Sequence, residues 1–195
     1  MAFDRVKVNL EKRGYSVSLF ATAGEAARYL AGAMKNEAIG FGGSVTLRDM
    51  GVYDLLAENN TVIWHWKNQG DRDRYAEFTA YLTSVNALAE TGEMINIDGS
   101  GNRVAASLFG PKRVYFVIGR NKLAPDLASA IERARQIASP PNCKRLNLKT
   151  PCATTGKCHD CDSPERICNA MCIHMRPTTR TAHTEVVLVD EDLGY

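Results

Sequence analysis

Cysteine is missing from the first 142 residues of this 195-residue chain. A disulfide framework is thereby disfavoured, and the cytosol, which keeps thiols reduced, becomes the natural setting. Charge of one sign is also missing. The 24 basic and 22 acidic residues leave a net charge of +2, too weak a field for a dedicated nucleic-acid binder. No apolar run approaches the roughly 20 residues needed to cross a bilayer. Met1 to Leu10 alternates charged with apolar residues, unlike a signal peptide, so a cytoplasmic protein with no membrane span is expected. Internal repeats and low-complexity segments are lacking too, which removes solenoid and disordered architectures from consideration.

What remains is an ordinary globular composition, 45% hydrophobic and 24% charged, at a length suited to one core with one appendage. Phe3, Val6 and Leu10 fall at helical spacing before Gly14, which predicts a helix over 3–13. Tyr15 to Phe20 reads as a strand. Thr22 and Glu25 form a capping box that opens a helix to about Met34. Ala38 to Phe41 is the next strand, followed by a Gly42-Gly43-Ser44 turn and helical structure over Val45 to Glu58. Val62 to Trp66 reads as a strand, and Asp71 to Leu82 as a helix with Tyr75, Phe78 and Leu82 on one face.

Glu93 to Asp98 and Arg103 to Leu108 flank Gly99-Ser100-Gly101-Asn102, which predicts a β-hairpin. Val114 to Ile118 is a continuous apolar run, as in a central strand. Pro125 opens a helix to about Ala138, and Ser139-Pro140-Pro141-Asn142 is expected to end it. Residues 143–177 lack periodicity, and Glu185 to Asp190 returns as a last strand. The expected fold is α/β: an open, mostly parallel sheet flanked by helices, with a β-hairpin and a C-terminal cysteine-rich excursion. One domain over 1–195 contains all of it, including the cysteine-rich segment 143–177.

All six cysteines lie between Cys143 and Cys172. Cys152, Cys158, Cys161 and Cys168 place four soft ligands within 17 residues, and Cys158-x2-Cys161 lets two sulfurs face one centre. Gly156, Asp160 and Pro164 supply the turns of the wrap. Thiolates select zinc or an iron–sulfur cluster over hard ions. Zinc favours two such knuckles or a mixture with histidine, so four irregularly spaced thiolates fit a [4Fe–4S] cubane better, with zinc as the alternative. Reduced, partly buried thiols are the bland alternative, against which stand the charged neighbours Lys157, Asp160, Asp162 and Glu165. His159 reads as a surface residue, and the role of His174 stays open.

Gly42 and Gly43 let the backbone approach a ligand, while Ser44 and Thr46 add hydroxyls. A plain strand-to-helix turn with a serine cap explains the same residues equally well. Thr83 to Gly92 is rich in small polar groups where the sheet alternation breaks. Asn86 is a candidate ligand-binding residue there, and Glu90 and Glu93 are candidate catalytic carboxylates, with loop hydrogen bonding as the competing role. Trp64 and Trp66 are expected to pack on one face with His65 on the other. Lys67, Arg72, Arg74, Arg133 and Arg135 read as solvated charges.

Ile39 to Leu47, Ser84 to Gly92 and Gly110-Pro111-Lys112-Arg113-Val114 together resemble the lactate-utilisation (LUD) domain family, over nearly the whole chain. Thr150 to Asn169 resembles a short, single-domain branch of it, whose cysteine quartet falls on 152, 158, 161 and 168; Cys143 and Cys172 lie outside that pattern as extra thiols or alternative ligands. The resemblance implies the fold of the sugar-phosphate isomerase and CoA-transferase-like superfamily. It also implies a redox setting in the oxidation of lactate to pyruvate, alongside iron–sulfur partner proteins. By analogy with that superfamily, Gly42, Gly43, Ser44, Asn86 and Glu90 become binding candidates.

Three functions follow as expectations. The first is a redox accessory or subunit of organic-acid utilisation, with a small anionic ligand at the glycine turn and one cluster at the quartet. The second is an isomerase, hydrolase or transferase of a phosphorylated or CoA-linked small molecule, with Glu90 or Glu93 reacting and a structural zinc. The third is a binding module without catalysis. Homo-oligomerisation is left open by all three.

Overall fold

The computed structural model describes residues 3–195, apart from the side chains of Arg72 and Asp73. Helix α1 (Asp4–Lys12), strand β1 (Ser16–Phe20) and helix α2 (Ala23–Ala33) open the chain, and the expected Thr22–Glu25 capping box is present. β2 (Ala38–Phe41) then leads through the glycine turn into α3 (Val45–Asp49) and α4 (Val52–Ala57), two helices separated at Gly51 with φ +67°. β3 (Thr61–Ile63), β4 (Ala80–Thr83), β5 (Ala87–Ala89) and β6 (Met94–Asp98) follow. Next come α5 (Asn102–Leu108), β7 (Arg113–Gly119), β8 (Leu123–Ala124) and α6 (Leu127–Arg133). α7 (Ser139–Arg145), α8 (Pro151–Thr155), β9 (Ala170–His174) and β10 (His183–Val189) complete it.

The main sheet runs β1-β10-β7-β4-β2-β3, with every neighbouring pair parallel. β7 and β10 lie inside it, which accounts for their nearly unbroken apolar sequences. Alternate residues face opposite layers. Val117 and Val187 pack with Ala26, Leu30, Leu47 and Leu56 of the helices on one side. Phe116, Ile118 and Val186 pack with Phe3, Val6 and Leu10 of α1 and with Leu88 and Met94 on the other. A second sheet, β8-β5-β6-β9, is antiparallel except where β8 meets β5, and α6 covers it through Ala130 and Ala134. The α/β class with a mostly parallel, helix-flanked sheet is therefore the observed fold.

Local expectations fail in four places. Asp71 to Leu82 is not a helix: two 3-10 turns, Gln69–Asp73 and Tyr75–Glu77, lead into β4, all four residues of which are buried. Tyr75 and Phe78 belong to one core layer and Leu82 to the other, so their helical spacing is coincidental. The Phe78 ring occupies the space beside Gly40, where a Cβ would stand 2.3 Å from it. The segment around Gly99–Asn102 joins strand to helix rather than strand to strand, because the Asp98 carboxylate accepts from the amides of Gly101 and Val104 and starts α5. The hairpin lies earlier, between β5 and β6, at a turn holding Gly92 with φ +98°.

The prolines after Ala138 do not end the helical run. A π-turn over Ala134–Ala138 joins α6 to α7, and Pro140 and Pro141 occupy the first turn of α7, where a missing amide donor is tolerated. β3 stops at Ile63, since the Trp64 amide donates to the Asp71 carboxylate instead of a strand neighbour. Among the described residues no helix is long and apolar enough to cross a membrane.

One buried group makes stability depend on pH. His174 on β9 is 5% exposed, with Ser107 Oγ 3.5 Å and Cys172 Sγ 3.6 Å from Nε2 and the Phe116 ring beside it. Burial, with a smaller contribution from Arg103, lowers its pKa from 6.5 to about 4. Below pH 6.5 the unfolded chain binds a proton that the folded chain refuses, so stability falls as pH drops from 6.5 toward 4, by on the order of 3 kcal/mol. Urea unfolding of the wild type should show this loss, and His174→Gln should flatten it; equal slopes in the two proteins contradict the assignment.

Candidate functional site

The carboxyl ends of β2, β4 and β7 open on the same edge of the sheet, where ligands of open α/β folds commonly bind. A cavity of about 770 Å³ lies there. Gly43, Ser44 and Thr46 from the glycine turn line it, with Ser84, Val85 and Asn86 after β4 and Lys122 after β7. Gly42 stands behind this wall. A Cβ there would come within 2.6 Å of Tyr81 Oη and 2.8 Å of Thr83 Oγ1, so close packing requires the glycine. Ser44 caps α3, its hydroxyl accepting from the Leu47 amide.

Lys122 lines the cavity and is one of the residues sequence reasoning missed. It is 4% exposed, and Nζ lies 2.7 Å from Thr46 Oγ1, 2.8 Å from Ser84 Oγ and 3.0 Å from the Val85 carbonyl. None of these partners is acidic. Burial, together with the neighbouring Arg133 and Arg103 guanidiniums, holds its pKa well below the usual 10.5, with only Asp49 acting the other way. The signal available in the sequence was position alone: a lysine three residues beyond the most apolar strand, on the ligand edge of a parallel sheet.

Asn86 is braced by two arginines. Arg103 donates to the Asn86 and Asn96 side-chain oxygens and to the carbonyls of Ile97 and Ser84, which uses all four terminal N–H groups. Arg133 donates to the Asn86 and Asn121 carbonyls and is 8% exposed, so it is a buried brace and not the solvated charge expected. Arg74 is tied to Asp71 and Glu77, and Arg135 to Asp160; the Arg72 side chain lies outside the described residues. Asn86 Oδ1 also accepts from the Ile97 amide, and its Nδ2 carries no hydrogen bond among the described residues. Arg103, Arg145 and Arg166 line the cavity against a single acidic side chain among the described residues, Asp98. Such a site suits an anion.

Glu90 and Glu93 do not join it. Both sit at the β5–β6 turn against α1, where Glu90 pairs with Arg5 at 2.9 Å and Glu93 pairs with Arg13. Burial pushes the Glu93 carboxyl up, but Thr91, a backbone amide and Arg13 outweigh it and hold the pKa below the ordinary range, the wrong direction for a general base at neutral pH. Trp64 and Trp66 do stack, with centroids 5.3 Å apart, while Trp66 and His65 line the cavity and Arg145 lies 4.8 Å over the Trp66 ring.

The cysteine segment supplies another wall of the cavity through Arg166, Ile167 and Asn169. A smaller hollow of about 250 Å³ adjoins it, bordered by Cys158, Cys168, Arg135 and Arg166. Cys168 is pushed up by burial, opposed by Arg166, with Cys158 and Cys161 near enough to add to the rise. Burial raises the Cys143 thiol to about 11, with Cys152 and Cys168 close by, so Cys143 joins the group. Cys172 stands apart beside His174, and His159 Nε2 lies 2.8 Å from Thr155 Oγ1. Among the described residues no three His, Cys, Asp or Glu side chains are gathered tightly enough for a single ion. A cubane holds its thiolates farther apart than one zinc does, and Cys168 with Cys143, Cys158 and Cys161 near it, Cys152 beside Cys143, and Arg135 and Arg166 alongside are donors of the right chemistry for it.

The profile of the LUD domain family matches residues 3–189. A crystal structure of a DUF162 family protein from Deinococcus radiodurans is similar in fold, with a TM-score of 0.55 at 13% identity over 96% of this chain and 96% of that one. At that identity the likeness concerns the fold. No curated protein matches the chain.

Replacing Arg133 by Met leaves the Asn86 and Asn121 carbonyls without their donor, which should cost about 2 kcal/mol in chemical denaturation. A change within about 0.5 kcal/mol, as for a solvated surface charge, contradicts the bracing role.

Proposed function

We propose, from the premise that this chain belongs to the LUD domain family, that it is a redox accessory or subunit in the oxidation of lactate or a related organic acid. In this reading the cavity takes the small anionic acid, and Cys152, Cys158, Cys161 and Cys168 hold one [4Fe–4S] cluster. The observation that carries it is the cation-lined cavity walled by the cysteine segment itself, with Arg166 and Asn169 bordering both the cavity and the hollow beside Cys158 and Cys168.

The chain's own residues have distinct tasks. Arg103 supplies a positive field at the cavity floor, and the free Asn86 amide and Ser44 hydroxyl can donate to a carboxylate. Arg103 contributes charge rather than contact, because its terminal donors are already spent. Arg135 and Arg166 flank the thiols and would offset the negative charge of four thiolates. A bound cluster would supply one-electron transfer. Iron–sulfur partner proteins are the matching electron acceptors.

One observation favours a second reading. A cavity of about 770 Å³ is far roomier than a three-carbon acid needs, and three arginines exceed what one carboxylate requires. A phosphorylated or CoA-linked ligand would use both, with the cysteines then serving a structural zinc. Iron and sulfide analysis of anaerobically purified protein separates the two. About four irons and four sulfides per chain, lost in Cys158→Ser, is expected; one zinc and no visible absorption turns the assignment to the second reading.

A further inference from the structure

Buried amines on the floor of a ligand cavity have a chemistry of their own, beyond attracting anions. Lys122 Nζ is held by two hydroxyls and one carbonyl. The Thr46 hydroxyl donates to the Leu193 carbonyl at 3.2 Å, so toward Lys122 it acts as acceptor, and the Val85 carbonyl can only accept. Those two contacts use two N–H groups. The Ser84 hydroxyl, 2.8 Å away, accepts a third N–H from Nζ, and by rotating its own proton it can instead donate into the lone pair of an uncharged amine. An uncharged amine therefore satisfies every partner, and no carboxylate among the described residues bonds to it.

We propose that Lys122 forms an imine with the carbonyl carbon of a 2-oxo acid bound in this cavity. The inference rests on the reading that the cavity takes a small organic acid and names its reactive class. The amine lone pair attacks the C2 carbonyl to give a carbinolamine. The former carbonyl oxygen then leaves as water as the C=N bond forms, having gained both protons lost by nitrogen, so no oxidant or reductant is consumed. Ser84 Oγ and Thr46 Oγ1, both within 2.8 Å of Nζ, are placed to relay these protons. The adjoining carboxylate meets the free Asn86 amide, with the Arg103 charge behind it. Burial and the two arginines keep the amine nucleophilic near neutral pH.

The test incubates the whole chain with pyruvate and cyanoborohydride, which delivers hydride to an imine and fixes it as a secondary amine. Peptide mass spectrometry then locates the adduct. Trapping at Lys122 should exceed that at any other lysine by more than about tenfold, since a carbonyl held against Nζ meets the amine at an effective concentration far above that in solution. Lactate, which has a hydroxyl in place of the 2-oxo group, should slow it by competition. Lys122→Arg should abolish the adduct; if that variant does not fold, the peptide map of the wild type still decides. Calorimetric binding of pyruvate with no adduct, or with adducts spread over surface lysines, overturns the imine and leaves the anion site standing. Neither binding nor adduct overturns both.

Discussion

Burying the Lys122 amine without an acidic partner is the constraint around which the ligand edge of the main sheet is built. Its three partners come from different places: Thr46 from the helix after β2, and Ser84 and Val85 from the loop after β4. Lys122 itself follows β7. One side chain thus ties together the ends of three strands that lie side by side in the sheet. An isolated ammonium in such a place is expensive to desolvate, and hydroxyls and a carbonyl compensate only in part, so the balance shifts toward the uncharged form.

The surrounding charges follow from the same constraint. Arg103 and Arg133 cannot donate to Lys122, and each instead satisfies backbone and amide oxygens of the neighbouring loops, fixing Asn86 from both sides. They stay charged, repel a proton on the amine and leave the cavity electropositive. The cysteine segment closes that cavity because β9, which ends it, pairs with β6 immediately before the Asp98 turn that carries Arg103. Cavity and thiols are neighbours through this pairing.

The framework was legible in the sequence wherever local chemistry sufficed. The Thr22 capping box, the Ser44 cap after two glycines and the apolar β7 all act within a few residues, and each is present as read. Errors arose where spacing came from separate elements, as with Tyr75, Phe78 and Leu82, or where a turn composition served a helix start, as at Gly99–Asn102. Of the candidate site residues, Gly43, Ser44, Thr46 and Asn86 meet at the cavity, whereas Glu90 and Glu93 are held by arginines of α1 and the residue after it. Lys122, Arg103 and Arg133 were illegible because the partners they donate to lie 6 to 76 residues away, and nothing in their own neighbourhood marks them as buried.

The account stands on the protonation state of one amine. Carbon-13 NMR of protein labelled at lysine Cε, followed through a pH titration, reads that state directly, with Lys122→Arg identifying the resonance. Lys122 should titrate well below the surface lysines and well below 10.5. Titration together with the surface lysines would contradict the account, since a normally charged Lys122 requires an acidic partner or open water at the cavity floor.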